Sequence, residues 1–107
     1  MRIMNEVIDT ISKGNVYVMK HSLFSDVIRI GCTPQSPEEY AKTLSKTTPG
    51  EYKVVFQLYC ENPCQIKKQV REYLRAKKYV NEFYQVPPEK AEKLLKAETL
   101  KIPILHK

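Results

Sequence analysis

A chain of 107 residues, 42% of them hydrophobic and with a formal net charge of +6, is sized for one domain with a modest core. No run approaches the roughly 20 consecutive apolar residues of a membrane span, and the opening MRIMNEVIDTISKG is too polar for a secretory h-region. An intracellular protein without a membrane partner is therefore expected, and an odd count of three cysteines suits a reducing compartment better than a disulfide framework.

Residues 3–13 place Ile3, Val7 and Ile11 at helical spacing, and Gly14 follows where a C-terminal cap belongs. The stretch NVYVMKHSLFSDVIRIG, residues 15–31, then reads as two extended arms around a polar bend. Val16, Val18, Ile28 and Ile30 alternate with larger or polar residues, Tyr17 sits on one arm, and Arg29 and Gly31 sit on the other. SPEEYAKTLSK opens a helix in which Ser36 can cap, Pro37 suits the first turn and Glu39 completes a capping box. Tyr40, Ala41 and Leu44 form its apolar side, and TTPG ends it.

EYKVVFQLYC predicts a strand with Tyr52, Val54, Phe56, Leu58 and Cys60 on one side. NPCQ starts another helix, with Asn62 as cap and Pro63 at its first position. The buried seam of that helix is Ile66, Val70 and Tyr73 or Leu74. NEFYQV predicts a short strand, and PPEKAEKLLKAETL an amphipathic helix around Ala91, Leu94 and Leu95. The apolar middle of KIPILHK either packs inward or joins another copy of the chain.

Two strands joined by a short bend must be antiparallel. The element order therefore predicts a single α+β domain over residues 1–107, a small, mostly antiparallel sheet flanked by helices. The positive charge is uneven: QIKKQVREYLRAKK carries Lys67, Lys68, Arg71, Arg75, Lys77 and Lys78 against Glu72 alone. Clustered cations fit an anionic partner, most often nucleic acid, although a solvated basic helix face has the same pattern. Lys90, Lys93 and Lys96 alternate with Glu89 and Glu92, which reads as a solvated face. Cys60 and Cys64 are spaced like a zinc-ligand pair, but no second close pair accompanies them, so reduced cysteines in the core or at a helix start are expected.

The segments VYVMK, IRIG and SPEEYAKTLS, in that order, resemble the GIY-YIG nuclease superfamily. They are most similar to the branch of phages, large DNA viruses and bacteria whose signature runs VYVM, KIG, SPEER. NEFYQVPPEKAEKLL is similar to that branch's closing segment, so the likeness spans residues 15–95 between an N-terminal helix, 1–14, and an extension, 96–107. The resemblance implies hairpin tyrosines, a helix arginine and a glutamate around one divalent metal. Such a set offsets the negative charge that develops on phosphate oxygens during phosphodiester cleavage.

Carried onto this chain, Tyr17 takes the first tyrosine's place, with Asn15 where the motif glycine would be. Arg29 takes the second tyrosine's place, where the branch often has lysine, and Gly31 matches the motif glycine. Tyr40 stands where the helix arginine would be, and the metal-binding glutamate falls near Lys67 or Lys68. Glu72 and Glu82 are the nearest carboxylate substitutes for a metal ligand. The candidate catalytic residues are thus Tyr17, Arg29 and Tyr40, although both tyrosines equally suit packing. The candidate phosphate contacts are Arg29, Lys67, Lys68, Arg71, Arg75 and Lys78.

A nucleic-acid-binding protein, DNA favoured, with weak or no phosphodiesterase activity is expected. The alternatives are an active magnesium-dependent DNA endonuclease and a protein-interaction module on the same fold. Magnesium or manganese is expected only with nuclease chemistry. One spatial expectation underlies the first reading: Tyr17 and Arg29 share a single groove with Lys67 and Arg71.

Overall fold

The computed structural model describes residues 12–74 and 83–101. In chain order these form β1 (Lys13–His21), β2 (Phe24–Thr33), α1 (Pro37–Ser45), β3 (Tyr52–Glu61), α2 (Pro63–Leu74), β4 (Phe83–Tyr84) and α3 (Pro88–Leu100). The four strands make one sheet in the order β3-β1-β2-β4, and every neighbouring pair is antiparallel. This is the expected α+β architecture. The helix expected over residues 3–13 lies outside the described residues as far as Ile11, and its last expected residue, Lys13, instead begins β1. The cations Arg75, Lys77 and Lys78, the carboxylate Glu82 and the tail 102–107 also lie outside the described residues. No described helix is long and apolar enough to cross a membrane.

The sheet is covered on both faces, which is why VYVM in β1 is apolar without a polar alternate. On one face Val16, Val18, Ile28 and Ile30 pack under Ile66, Val70 and Leu74 of α2 and under Ala91, Leu94 and Leu95 of α3. On the other, Tyr17 and Met19 pack under Ala41 of α1, with Tyr40, Leu44, Tyr52 and Val54 half-buried around them. Neighbouring residues of a strand point to opposite faces, so the alternation in β1 assigns each helix its side.

Several local expectations change. Gly14 does not cap a helix; it lies in β1 opposite Cys60. A Cβ there would sit 2.6 Å from the Thr33 carbonyl oxygen, so the strand's close approach to Thr33 requires glycine. The capping box at Ser36 is not formed: its hydroxyl donates to Glu38 Oε1 at 3.1 Å, and no side chain caps the helix. Proline in the first turn and the Tyr40 N–H bonded to the Ser36 carbonyl start α1 instead. Asn62 adopts φ 52°, a left-handed turn conformation asparagine tolerates, and its carbonyl accepts the Gln65 and Ile66 N–H groups.

The strand β3 does not keep one side. Phe56 pairs with Val18 and Val54 with Met19, so Val55 is an extra residue between two consecutive pairs. This bulge reverses the pleat. Tyr52 and Val54 therefore join the α1 face, while Phe56, Leu58 and Cys60 join the α2 face.

The cysteines are not all reduced. Cys32 at the end of β2 and Cys64 in the first turn of α2 form a disulfide with Cα atoms 5.4 Å apart, across a separation of 32 residues. Antiparallel pairing brings the two together, a proximity that spacing along the chain conceals. Cys60 remains a free, buried thiol.

Candidate nucleic-acid interface

Arg29 lies opposite Met19 in the hairpin, and Gly31, buried in β2, lies opposite Tyr17. Both Tyr17 and Arg29 therefore point to the α1 face. The Arg29 Nε–H donates to the Tyr17 hydroxyl at 3.2 Å. Tyr17 is fully buried, and the half-buried Tyr40 of α1 meets it edge-on with ring centroids 6.0 Å apart. The three residues expected to form a catalytic group are thus together.

Strand β4 completes this environment, because Phe83 lies directly opposite Arg29. The guanidinium sits 6.0 Å from the Tyr52 ring centroid and 5.9 Å from that of Phe83. Those two rings stack at 6.2 Å. Aromatic faces attract the cation and strip water from it, worth about 0.5–2 kcal/mol per contact. The rings continue beyond Tyr52: His21 is 4.8 Å away, and Phe24 is 5.5 Å from His21. Phe24, at the hairpin tip, is 56% exposed. Of this array the sequence reading singled out only Tyr17, Arg29 and Tyr40. Phe83 and Tyr52 are found only through strand pairing and the reversed pleat of β3.

Lys67, Lys68 and Arg71 belong to α2, whose apolar seam packs on the opposite face of the sheet. They do not share a groove with Tyr17 and Arg29, because the seam that buries Ile66 and Val70 commits the whole helix to the Val16 side. Lys67 is half-buried and Lys68 exposed. Arg71 has an internal partner: its Nε–H donates to the Tyr84 hydroxyl at 2.9 Å, and Tyr84 is itself buried. Arg75 and Lys78 lie outside the described residues.

Among the described residues, the carboxylates do not converge on Tyr17 and Arg29 as a divalent-ion site. Magnesium and manganese take hard oxygen ligands, with at least one free carboxylate. Glu72 is exposed on α2, across the sheet. Glu38 on α1 has both oxygens engaged, one by Ser36 and the other by the Gln57 amide. Among the described residues no group of three His, Cys, Asp or Glu side chains converges as a metal site.

A second set of cations does lie on the α1 side. Lys42 and Lys46 of α1 and Lys53 of β3 line a groove of about 660 Å³ with Glu38, Glu51, Tyr52 and Val54. Lys20 of β1 pairs with Lys53 but alternates with Met19 and His21, so it is rooted on the Val18 face and does not line this groove. Among the described residues, none of Lys20, Lys42, Lys46 and Lys53 makes an ion pair. The lysines of the groove come from two separate elements, so no run in the sequence announces them.

No protein-family model, curated protein or solved structure matches the chain. A functional assignment therefore rests on the chemistry of the site.

Proposed function

We propose that this protein binds nucleic acid, with DNA favoured, on a GIY-YIG-like fold, and that it has weak or no phosphodiester-cleaving activity. One observation carries the proposal: the Arg29 guanidinium is bonded to the Tyr17 hydroxyl, with Tyr40 packed against that tyrosine. In the branch this chain resembles, a lysine often stands at the position of Arg29 and an arginine at that of Tyr40. Here the helix cation is replaced by tyrosine, so the face keeps only the cation on the strand. A fixed guanidinium is well suited to phosphate oxygens.

Cleavage demands more than that cation. It requires an activated nucleophile and stabilisation of the charge that develops. Tyr17 is fully buried, so its hydroxyl orients Arg29 and does not reach a substrate. Among the described residues no group of carboxylates gathers to hold the divalent ion that would supply the rest.

The test incubates supercoiled and branched DNA with the protein, with and without magnesium or manganese, alongside binding titrations at several salt concentrations. Binding without nicking, with affinity falling steeply as salt rises, is expected. Magnesium-dependent nicking abolished by Tyr17→Phe would establish the endonuclease reading instead. An absence of DNA and RNA affinity at low salt would leave the protein-interaction reading.

A further inference from the structure

We propose that the tip of the β1–β2 hairpin is a platform for unpaired nucleobases, where Phe24 stacks a base while Lys46 and Lys53 of the adjoining groove hold the flanking phosphates. This rests on the nucleic-acid reading and adds to it the form of the polymer, a single strand.

The platform is built before any ligand arrives. One side of the Phe24 ring lies against His21, with an angle of 37° between the ring planes. His21 is itself held: its Nδ1 accepts the Leu23 N–H at 3.1 Å, and its ring meets Tyr52 edge-on. Phe24 is thus the outer member of a series of ring contacts that runs back to Phe83, and it remains 56% exposed. Leu23 beside it is 58% exposed, so the tip offers apolar surface to solvent. A base placed on Phe24 would extend the series by one ring.

The surrounding charge has the sign the backbone requires. Gly50 brings the lysine groove against the tip. A Cβ at Gly50 would lie 2.6 Å from His21 Cε1 and 3.0 Å from Leu23 Cγ, and Gly50, Lys46 and Lys53 line one groove. Glu38 in that groove is engaged by Ser36 and Gln57, which leaves Glu51 to oppose Lys42, Lys46 and Lys53.

The geometry points to a single strand because bases inside a duplex have both faces covered by their neighbours. A lone exposed ring can stack only on a base that has left the helix, and such stacking tolerates any sequence. An apolar tip among lysines would also suit an anionic lipid surface. Phe24, however, is a planar ring already in contact with His21 and 56% exposed, which matches a planar base better than an acyl chain.

The experiment measures anisotropy of a labelled oligothymidine of about twelve nucleotides, and of a matching duplex, at low salt. It uses the full chain, Phe24→Ala, Phe24→Tyr and the double variant Lys46→Ala/Lys53→Ala, each checked for native circular dichroism. Tighter binding of the single strand is expected, with a loss of roughly 5–150-fold in Phe24→Ala and near-complete rescue in Phe24→Tyr. The double variant is expected to lower the slope of log affinity against log salt by about 1.4. If the chain binds DNA but Phe24→Ala binds as well as the parent, the platform is overturned and the proposed function stands. If the chain binds neither polymer, both fall. If it instead binds phosphatidylserine vesicles in a Phe24-dependent manner and no oligonucleotide, the tip is a lipid contact and the platform is overturned.

Discussion

Two side chains show how burial assigns roles that composition does not. Arg71 counts as one cation among many in the sequence, yet in the fold it satisfies the hydroxyl of buried Tyr84. Arg71→Met is expected to cost about 2 kcal/mol, because it leaves that hydroxyl without a partner. Adding Tyr84→Phe to it should recover part of the loss, which urea unfolding of the single and double variants measures. Cys60 illustrates a titration. Burial pushes its thiol up, so the fold favours the neutral form. A raised value contributes stability that is complete below the unfolded-state pKa and is lost as pH climbs through the folded-state pKa. The parent should therefore lose more stability than Cys60→Ala in alkaline urea titrations, and equal losses would contradict this.

Among the elements, β3 and α2 depend on features with no local signature. Val55 is the surplus residue of the β3 bulge. Its deletion leaves Phe56 opposite Val18 and Val54 opposite Met19 in an uninterrupted ladder, so every side chain keeps its face. The deletion should cost no more than about 1 kcal/mol. Deleting Leu58 instead shifts the register beside β1 and should prevent folding, because each inward residue would turn outward. Thermal melts of the two deletions distinguish these outcomes. The Cys32–Cys64 disulfide closes a loop across 32 residues and anchors the first turn of α2 to β2. Cys32→Ser should lower stability by about 3 kcal/mol, and a dithiol reductant should abolish the difference between variant and parent.

At the scale of the whole molecule, the sheet separates two sets of cations. The domain is 24 Å across its shortest dimension, about three Debye lengths at physiological ionic strength. Lys67 and Lys68 on α2 therefore act on a strand bound at the α1 side only through a screened, long-range field. Lys67→Ala/Lys68→Ala should weaken DNA binding at low salt, and this effect should vanish near 0.15 M, about the physiological value. Lys46→Ala/Lys53→Ala should remain impaired there. Binding titrations of the two double variants at both ionic strengths decide it, and an equal, persistent loss would instead require one continuous binding surface.

Much of this architecture is written in neighbouring residues. The hairpin arms, the proline-led helices α1, α2 and α3 and their apolar seams follow from periods and turns spanning a few positions, so the α+β class was legible. Pairing across a short bend also made it legible that Tyr17 and Arg29 share a face. Other features required contacts between distant segments. A period-two pattern cannot show the one extra residue that turned Tyr52 and Val54 away from Phe56. Nor does spacing mark the Cys32–Cys64 partnership or Phe83 opposite Arg29. The basic run around Lys67 was plain, but its side of the sheet was not. That side was decided when α2 buried Ile66 and Val70 against Val16 and Val18, because a helix takes its charged stripe wherever its apolar seam must go.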